Sequence, residues 1–316
     1  MSPTPLVIDT DPGIDDAFAI ALAAASPEVE LTAVTTVFGN VGLDTTTQNA
    51  LRVLALCGKE NVPVATGADR PLVHPQPHRA SHVHGEDGLG GRSTLLPLPV
   101  RGPDPRRAVG LLAEVLQAAS QPVVIAPIGP LTNIALLLAS HPELKPKIAR
   151  LVIMGGGLAT GNISSTAEFN IWSDPEAARR VLVEEDVPTV LVPIDVTYRC
   201  AVEPAWLDEL ADSGPVGASL VALTAPYRAQ YQATLGRDAL VLHDAVALAE
   251  AVQPGILRCQ RMFVEVECGP GPARGMTIGD RRRSALSREG REIDVALDAD
   301  LDALRDFMLH RLCGKE

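Results

Sequence analysis

Four carboxylates, Asp9, Asp11, Asp15 and Asp16, fall within eight residues of the stretch Leu6-Val7-Ile8-Asp9-Thr10-Asp11-Pro12-Gly13-Ile14-Asp15-Asp16-Ala17. Like charges this close raise one another's pKa unless a cation binds among them, and an all-oxygen donor set suits a hard ion such as Ca²⁺ or Mg²⁺. The stretch begins as a short apolar run that reads as a buried parallel strand, turns at Pro12-Gly13, and opens an apolar, alanine-rich helix. Asp11 is expected at the strand's carboxyl end. Asp15 and Asp16 are expected in the first helical turn, where unpaired N–H groups and the helix dipole favour negative charge. Consecutive helical residues point about 100° apart, so one of the pair is expected on a metal and the other on a substrate. One such Asp would be ordinary turn or capping chemistry; four together read as a metal or sugar site.

Other polar residues fall where such a site needs them. A second strand, Glu30 to Val37, runs into Phe38-Gly39-Asn40, which places Asn40 at a strand's carboxyl end, where ligands collect in open α/β sheets. The strand Pro122 to Pro127 runs into Ile128-Gly129-Pro130-Leu131-Thr132-Asn133, a tight turn that exposes the Ile128 carbonyl as a candidate metal ligand. Asn162, Glu168 and Asn170, in a polar irregular segment after the strand Ala149 to Met154, offer the donors and acceptors that several sugar hydroxyls require. His243-Asp244 opens a helix with a carboxylate in its first turn, and two acidic helix starts in one sheet suggest that both face one ion. Tyr227 and Tyr231, at i and i+4 of an expected helix from Val216 to Leu235, suit a core or interface face or stack on a flat ligand.

The elements that must position these residues alternate strand and helix, with a helix from Thr45 to Cys57, a short strand Val62 to Ala65, a helix from Pro105 to Ala119 and a strand from Val190 to Thr197. Helices follow from Pro204, and strands and a closing helix fill the tail from Met262 to Leu312. The expectation is an α/β fold: one domain over residues 1–316 with a mostly parallel open sheet flanked by helices. Residues 67–104, rich in Pro, Gly and His, read as a flexible lid that carries His84 to a substrate. Zinc at His74, His78, His82 and His84 is disfavoured, because Pro75 and Pro77 break the helix that would align the first two and no cysteine is near. Gly155-Gly156-Gly157 lacks the spacing and the following apolar helix of a dinucleotide loop.

Composition bounds the rest. A formal net charge of −12, with Arg281-Arg282-Arg283 as the one short basic run, argues against a nucleic-acid partner. No stretch of about 18 uninterrupted apolar residues suggests a membrane span. The first strand begins too close to Met1 for a signal peptide, so a cytoplasmic protein is expected. The five cysteines, Cys57, Cys200, Cys259, Cys268 and Cys313, are scattered and read as reduced thiols.

Taken in order, Asp9-Thr10-Asp11-Pro12-Gly13-Ile14-Asp15-Asp16-Ala17, Gly39-Asn40, His84-Gly85, Gly129-Pro130-Leu131-Thr132-Asn133, Met154-Gly155-Gly156, Glu168-Phe169-Asn170 and His243-Asp244 span nearly the whole chain. Together they resemble the calcium-dependent nucleoside N-ribohydrolases, also called inosine-uridine preferring nucleoside hydrolases, which implies a Rossmann-like nucleoside hydrolase fold. The resemblance implies that Asp11, Asp16, Asp244 and the Ile128 carbonyl hold Ca²⁺, with the ribose 2′- and 3′-hydroxyls and a water completing its shell. It further implies that Asp11 takes the proton of that water as it attacks the anomeric carbon, and that Asp15, Asn40 and Asn170 hold the ring hydroxyls. Asn162 and Glu168 are implied for the 5′-hydroxyl, Met154 for the ribose wall, and His243 for the departing base, with His84 nearby. Tyr227 and Tyr231, with Arg228 between them, are candidates for setting base preference. Family members often carry Thr where Ile128 stands, a minor departure because a carbonyl ligand needs no particular side chain. The resemblance also implies a homodimer or homotetramer.

Cleaving an N-glycosidic bond builds positive charge on the ribose ring, which a negatively charged, oxygen-lined cup favours over the neutral substrate. Two other readings are open. A Mg²⁺-dependent phosphohydrolase also uses a strand-end Asp-x-Asp, but here the pair runs into Pro-Gly-x-Asp-Asp and no later strand end offers a lysine for phosphate. A non-catalytic nucleoside or ribose sensor would need neither Asp11 nor His243.

Overall fold

Leu6, Val7 and Ile8 are all shielded from solvent, yet they face different ways: Leu6 and Ile8 join one apolar cluster and Val7 the other. A strand buried on both faces must be covered by helices on both, since its side chains alternate sides. Val123 to Ala126 and Leu151 to Met154 divide between the same two clusters in the same alternating way. The two clusters are thus the two layers of core on either side of one sheet. The computed structural model describes residues 2–74, 77–282, 284 and 287–314. Pro75, one of the two expected helix breakers, and Arg283, in the basic run, lie outside the described residues.

The strands are β1 (Thr4–Thr10), β2 (Val29–Thr36), β3 (Val64–Thr66), β4 (Val123–Pro127), β5 (Ile148–Met154), β6 (Thr189–Val192), β7 (Leu257–Val266), β8 (Thr277–Gly279) and β9 (Arg291–Ala299). They form one sheet in the order β3-β2-β1-β4-β5-β6-β9-β7-β8. Pairing is parallel from β3 through β9, and β7 is antiparallel to both β9 and β8. The chain runs outward from β1 to β3 and then returns to the other side of β1 as β4. That reversal opens a crevice beyond the carboxyl ends of β1 and β4, the usual place for a ligand in such sheets.

The first seven α-helices are α1 (Ile14–Ala25), α2 (Leu43–Leu56), α3 (Ser81–His84), α4 (Ala108–Ala118), α5 (Thr132–Ser140), α6 (Phe169–Ser173) and α7 (Pro175–Arg179). After them come α8 (Ile194–Thr197), α9 (Pro204–Asp212), α10 (Pro215–Leu223), α11 (Ala225–Leu235), α12 (His243–Val252) and α13 (Leu301–Leu312). Ile14 to Ala23 of α1 and all of α12 are buried, and the two helices pack against each other. Helices apolar all round belong inside the molecule. Apart from Glu250, which bonds Arg150 near the end of α12, their charged and imidazole side chains sit in the first turn of each, Asp15 and Asp16 on α1 and His243 and Asp244 on α12, and these first turns meet at the crevice.

Two expected elements are corrected. The strand read through Thr197 stops at Val192, because Pro193 has no N–H for a ladder and instead precedes α8. The helix expected over 216–235 is broken into α10 and α11 at Thr224, where Pro226 enters the first turn of α11 and could not continue the hydrogen bonding of α10. Residues 67–104 carry α3 and a 3₁₀ turn at Ser93–Leu95 among their loops. All five cysteines are free thiols, and no helix of the described residues is long and apolar enough to cross a membrane.

Phe18 of α1 is wholly buried among this core. Phe18→Ala is expected to lose about 3–5 kcal/mol of stability through the cavity it leaves, read from urea unfolding. A loss under about 1 kcal/mol would mean that α1 is not the central packing element described here.

Candidate active site

Asp9 is fully buried at the end of β1, where the Thr35 hydroxyl and the Asn133 amide, at 2.8 Å, both donate to its Oδ1. Its Oδ2 is buried without a hydrogen-bond partner among the described residues, and burial pushes the group up to about 7 against those two bonds. Asn133 also donates to the Thr36 carbonyl and accepts from Ala68 N–H, so Asp9 anchors the ends of β1 and β2 and the loop after β3 to α5. Two residues on, Asp11 Oδ2 accepts the Asn40 backbone N–H at 2.7 Å. A Cβ added at Gly39 or at Gly129 would land on the Asp11 carboxylate, so both positions must be glycine for the carboxylate to sit between them. Burial, then the charge of Asp16, pushes Asp11 well above the carboxylate range.

Asp15 and Asp16 diverge as adjacent helical residues must. Asp16 turns back to accept from the Thr10 hydroxyl, Gly13 N–H at 2.8 Å and the Asn40 side-chain amide at 3.2 Å, which caps α1. Asp15 instead lines the crevice, with the Tyr227 hydroxyl donating to it. Asp244 lies within hydrogen-bonding reach of both. One oxygen from each of Asp15, Asp16 and Asp244 falls within 4.8 Å of the others, and all three residues are buried. Burial first and the Asp16 charge second push Asp15 up to about 8, and Asp244 is raised by burial and by the charges of Asp15 and Asp16. Buried, mutually repelling oxygen donors with no sulfur or imidazole among them fit a hard divalent cation, which could be held by this cluster.

The crevice is a cavity of about 310 Å³. It is lined by Asp15, Asn40, His84, Ile128, Met154, Asn162, Glu168, Asn170, Tyr227, Tyr231, His243 and Asp244. Asp11 and Asp16 lie behind that wall, tied to the bonds just described. The sequence-predicted residues therefore converge on one place, in two layers. Asn170 spans it, donating to the Ile128 carbonyl at 3.0 Å and the Met154 carbonyl at 3.3 Å, and leaves the Ile128 oxygen a second lone pair. Glu168 is buried and accepts backbone N–H groups of Gly156, Asn170 and Ile171. Asn162 accepts the Phe169 N–H at 2.9 Å from the more open side.

Both histidines are buried and neutral. Burial pushes His84 and His243 down to about 3. His84 Nδ1 accepts the Ile14 N–H at 3.1 Å, satisfying a free donor at the start of α1, and its ring lies 5.0 Å from that of Tyr227. The loop before α4 is thereby pinned to the same helix end that carries Asp15 and Asp16. His243 bonds through both nitrogens, Nδ1 to the Thr197 hydroxyl at 2.6 Å and Nε2 to the Tyr231 hydroxyl at 2.7 Å. A neutral imidazole donates at one nitrogen and accepts at the other, and a hydroxyl can answer either role, so both partners are satisfied whichever nitrogen of His243 carries the proton.

Several residues of this site were not singled out from the sequence. Thr10, Thr35, Asn133 and Thr197 each hold an acidic or imidazole group in place, but a lone Thr or Asn at a strand end carries no pattern of its own. Gln230 and Thr234 line the cavity together with Tyr227 and Tyr231. Their helical spacing was a signal that could have found them.

A deep acidic cup at the strand reversal of a mostly parallel sheet, ringed by amides and neutral imidazoles, has the makings of a sugar-handling hydrolase. Comparison with known proteins gives the class directly: the chain belongs to the inosine-uridine preferring nucleoside hydrolase family, whose sequence pattern matches residues 6–306. It is 40% identical over 310 residues to the pyrimidine-specific ribonucleoside hydrolase RihA of Klebsiella pneumoniae strain 342, covering 98% of each chain. Among solved structures it is similar to a plant nucleoside hydrolase, PpNRh1, at 31% identity and TM-score 0.92, covering 98% of this chain and 99% of that one. The purine-preferring ribonucleoside hydrolase from Gardnerella vaginalis is similar at 30% identity and TM-score 0.90, covering 98% of both. The chain is a nucleoside N-ribohydrolase, an enzyme that hydrolyses ribonucleosides to free base and ribose.

The glycine cage around Asp11 gives a direct test. Gly39→Ala is expected to cost about 1–3 kcal/mol in urea unfolding and to depress ribose release with it, because the new methyl must displace the carboxylate. Gly102→Ala, whose added Cβ meets no heavy atom within 4 Å, is expected to stay within about 0.5 kcal/mol of the parent. Equal behaviour of the two variants would show that no such cage confines Asp11.

Proposed function

We propose that the enzyme is calcium-dependent, with Asp11, Asp16, Asp244 and the Ile128 carbonyl holding the ion, and that Asp11 serves as the base for the attacking water. The observation that carries this reading is the convergence of buried, mutually repelling carboxylates on one cavity whose remaining polar lining suits sugar hydroxyls. Bound there, Ca²⁺ would supply a grip on the ribose diol and would make a nearby water easier to deprotonate.

The chain's own residues do the rest. Asp15, Asn40 and Asn170 take the ring hydroxyls, and Asn162 and Glu168 take the 5′-hydroxyl, with Met154 against the ribose. Asp11, held from behind by Asn40 N–H and confined by two glycines, keeps one geometry toward the anomeric carbon. As the glycosidic bond breaks, positive charge grows on the ribose ring, and fixed carboxylates that need no reorganisation stabilise it more than they stabilise the neutral substrate.

The leaving base receives its proton at the other end of the cavity, from the His243 pair with Tyr231. Since both His243 nitrogens are already bonded, the Tyr231 hydroxyl stands next in that chain, and it is a natural path for the proton. Tyr227 orders Asp15 and packs on His84, and with Tyr231 it borders the space for the base. The names of the relatives point to both pyrimidine and purine nucleosides, and this chain is proposed to act within that range. We read residues 1–316 as one catalytic domain, with the loop of residues 67–104 as a lid over the ribose, working as a cytoplasmic homodimer or homotetramer.

Release of ribose from inosine, adenosine, uridine and cytidine, followed with Ca²⁺ and after chelation, checks the reading. Release is expected to depend on calcium. Asp11→Ala is expected to lower kcat by about 10²–10⁴-fold, the range for a removed acid–base group. Release that persists unchanged after exhaustive chelation, or an Asp11→Ala variant of parental kcat, would overturn it.

A further inference from the structure

Tyr198 follows α8 directly and is half-buried on the cavity wall, at a position with no role in the mechanism above. Its ring meets that of His243 edge-on, centroids 5.1 Å apart at 84°, and lies 6.3 Å from that of Tyr231 at 66°. Those two residues mark the end of the cavity assigned to the base. Glu168, on the same cavity wall, marks the end assigned to the 5′-hydroxyl. The charge of Glu168 reaches Tyr198, and after burial it is the influence that raises the phenol. Tyr198 thus touches the residues of one end and shares the cavity wall with the residue of the other.

The stereochemistry of a β-nucleoside gives that position a meaning. The base on C1′ and the hydroxymethyl group on C4′ project from one face of the ribose ring, and the 2′- and 3′-hydroxyls from the other. A substrate whose diol faces the carboxylates presents its opposite face to whatever lies between base pocket and 5′-pocket. We propose that Tyr198 is a specificity residue of this enzyme, its ring covering the ribose face that bears the base and its hydroxyl engaging the 5′-hydroxymethyl group. The inference rests on the site reading given above. The backbone there is anchored, since the Tyr198 N–H bonds the Ile194 carbonyl at the end of α8, next to the Thr197 that holds His243.

Substrates that keep or lack the 5′-hydroxyl separate this role from simple packing on His243. With inosine or uridine, whichever is cleaved faster, Tyr198→Phe is expected to lower kcat/KM by about 2- to 12-fold, the value of one hydrogen bond. The same variant is expected to leave kcat/KM for the matching 5′-deoxynucleoside unchanged. Tyr198→Ala, which removes the ring as well, is expected to lower kcat/KM on both substrates. An equal loss on both substrates for Tyr198→Phe, or no loss on either, overturns the proposal. The unmodified enzyme in the same series tests the site reading separately: its failure to release ribose from any nucleoside in the presence of Ca²⁺ counts against that reading and not against Tyr198 alone.

Discussion

The repulsion among Asp11, Asp15, Asp16 and Asp244 is the constraint to which the rest of the structure answers. Four carboxylates out of water are each pushed toward the neutral acid by burial, and Asp11, Asp15 and Asp244 also by the charges of their neighbours. Left alone, they would exist as shared protons, and the fold would carry their desolvation as a cost. A divalent cation reverses the sign of that interaction, so the same crowding that weakens the metal-free fold becomes affinity for the ion. A site built this way is strained toward its ligand before any substrate arrives.

The fold supplies what holds the charges so close. Asp9 and its partners Thr35 and Asn133 tie β1, β2 and α5 together behind the cluster, and Gly39 and Gly129 leave Asp11 no second position. Two largely buried helices bring their positive ends to the same point, which favours carboxylates there. Beside the same helix ends the logic is inverted for the imidazoles, since burial pushes His84 and His243 toward the neutral form and each is locked by hydrogen bonds.

Much of this was legible in the chain itself. Asp9 through Ala17 announced a strand, a turn and a helix because an apolar run, Pro-Gly and an alanine-rich segment each have a local cause. The convergence of Asn40, Ile128, Met154 and Asp244 followed from strand and helix ends lying on one edge of a parallel sheet. Contacts between residues far apart in sequence were not legible: Thr35 and Asn133 on Asp9, Thr197 on His243, and Tyr198 beside both His243 and Tyr231 depend on register and packing. The split between α10 and α11 and the early end of β6 were missed where apolar periodicity ran across Pro226 and Pro193.

The most direct measurement is a calorimetric titration of chelator-stripped protein with CaCl₂, paired with its thermal unfolding. A metal-holding carboxylate cluster predicts one calcium per chain, a Tm raised by saturating calcium, and loss of both effects in Asp244→Asn. Absence of binding by the parent protein, or calcium binding that Asp244→Asn leaves intact, would contradict it.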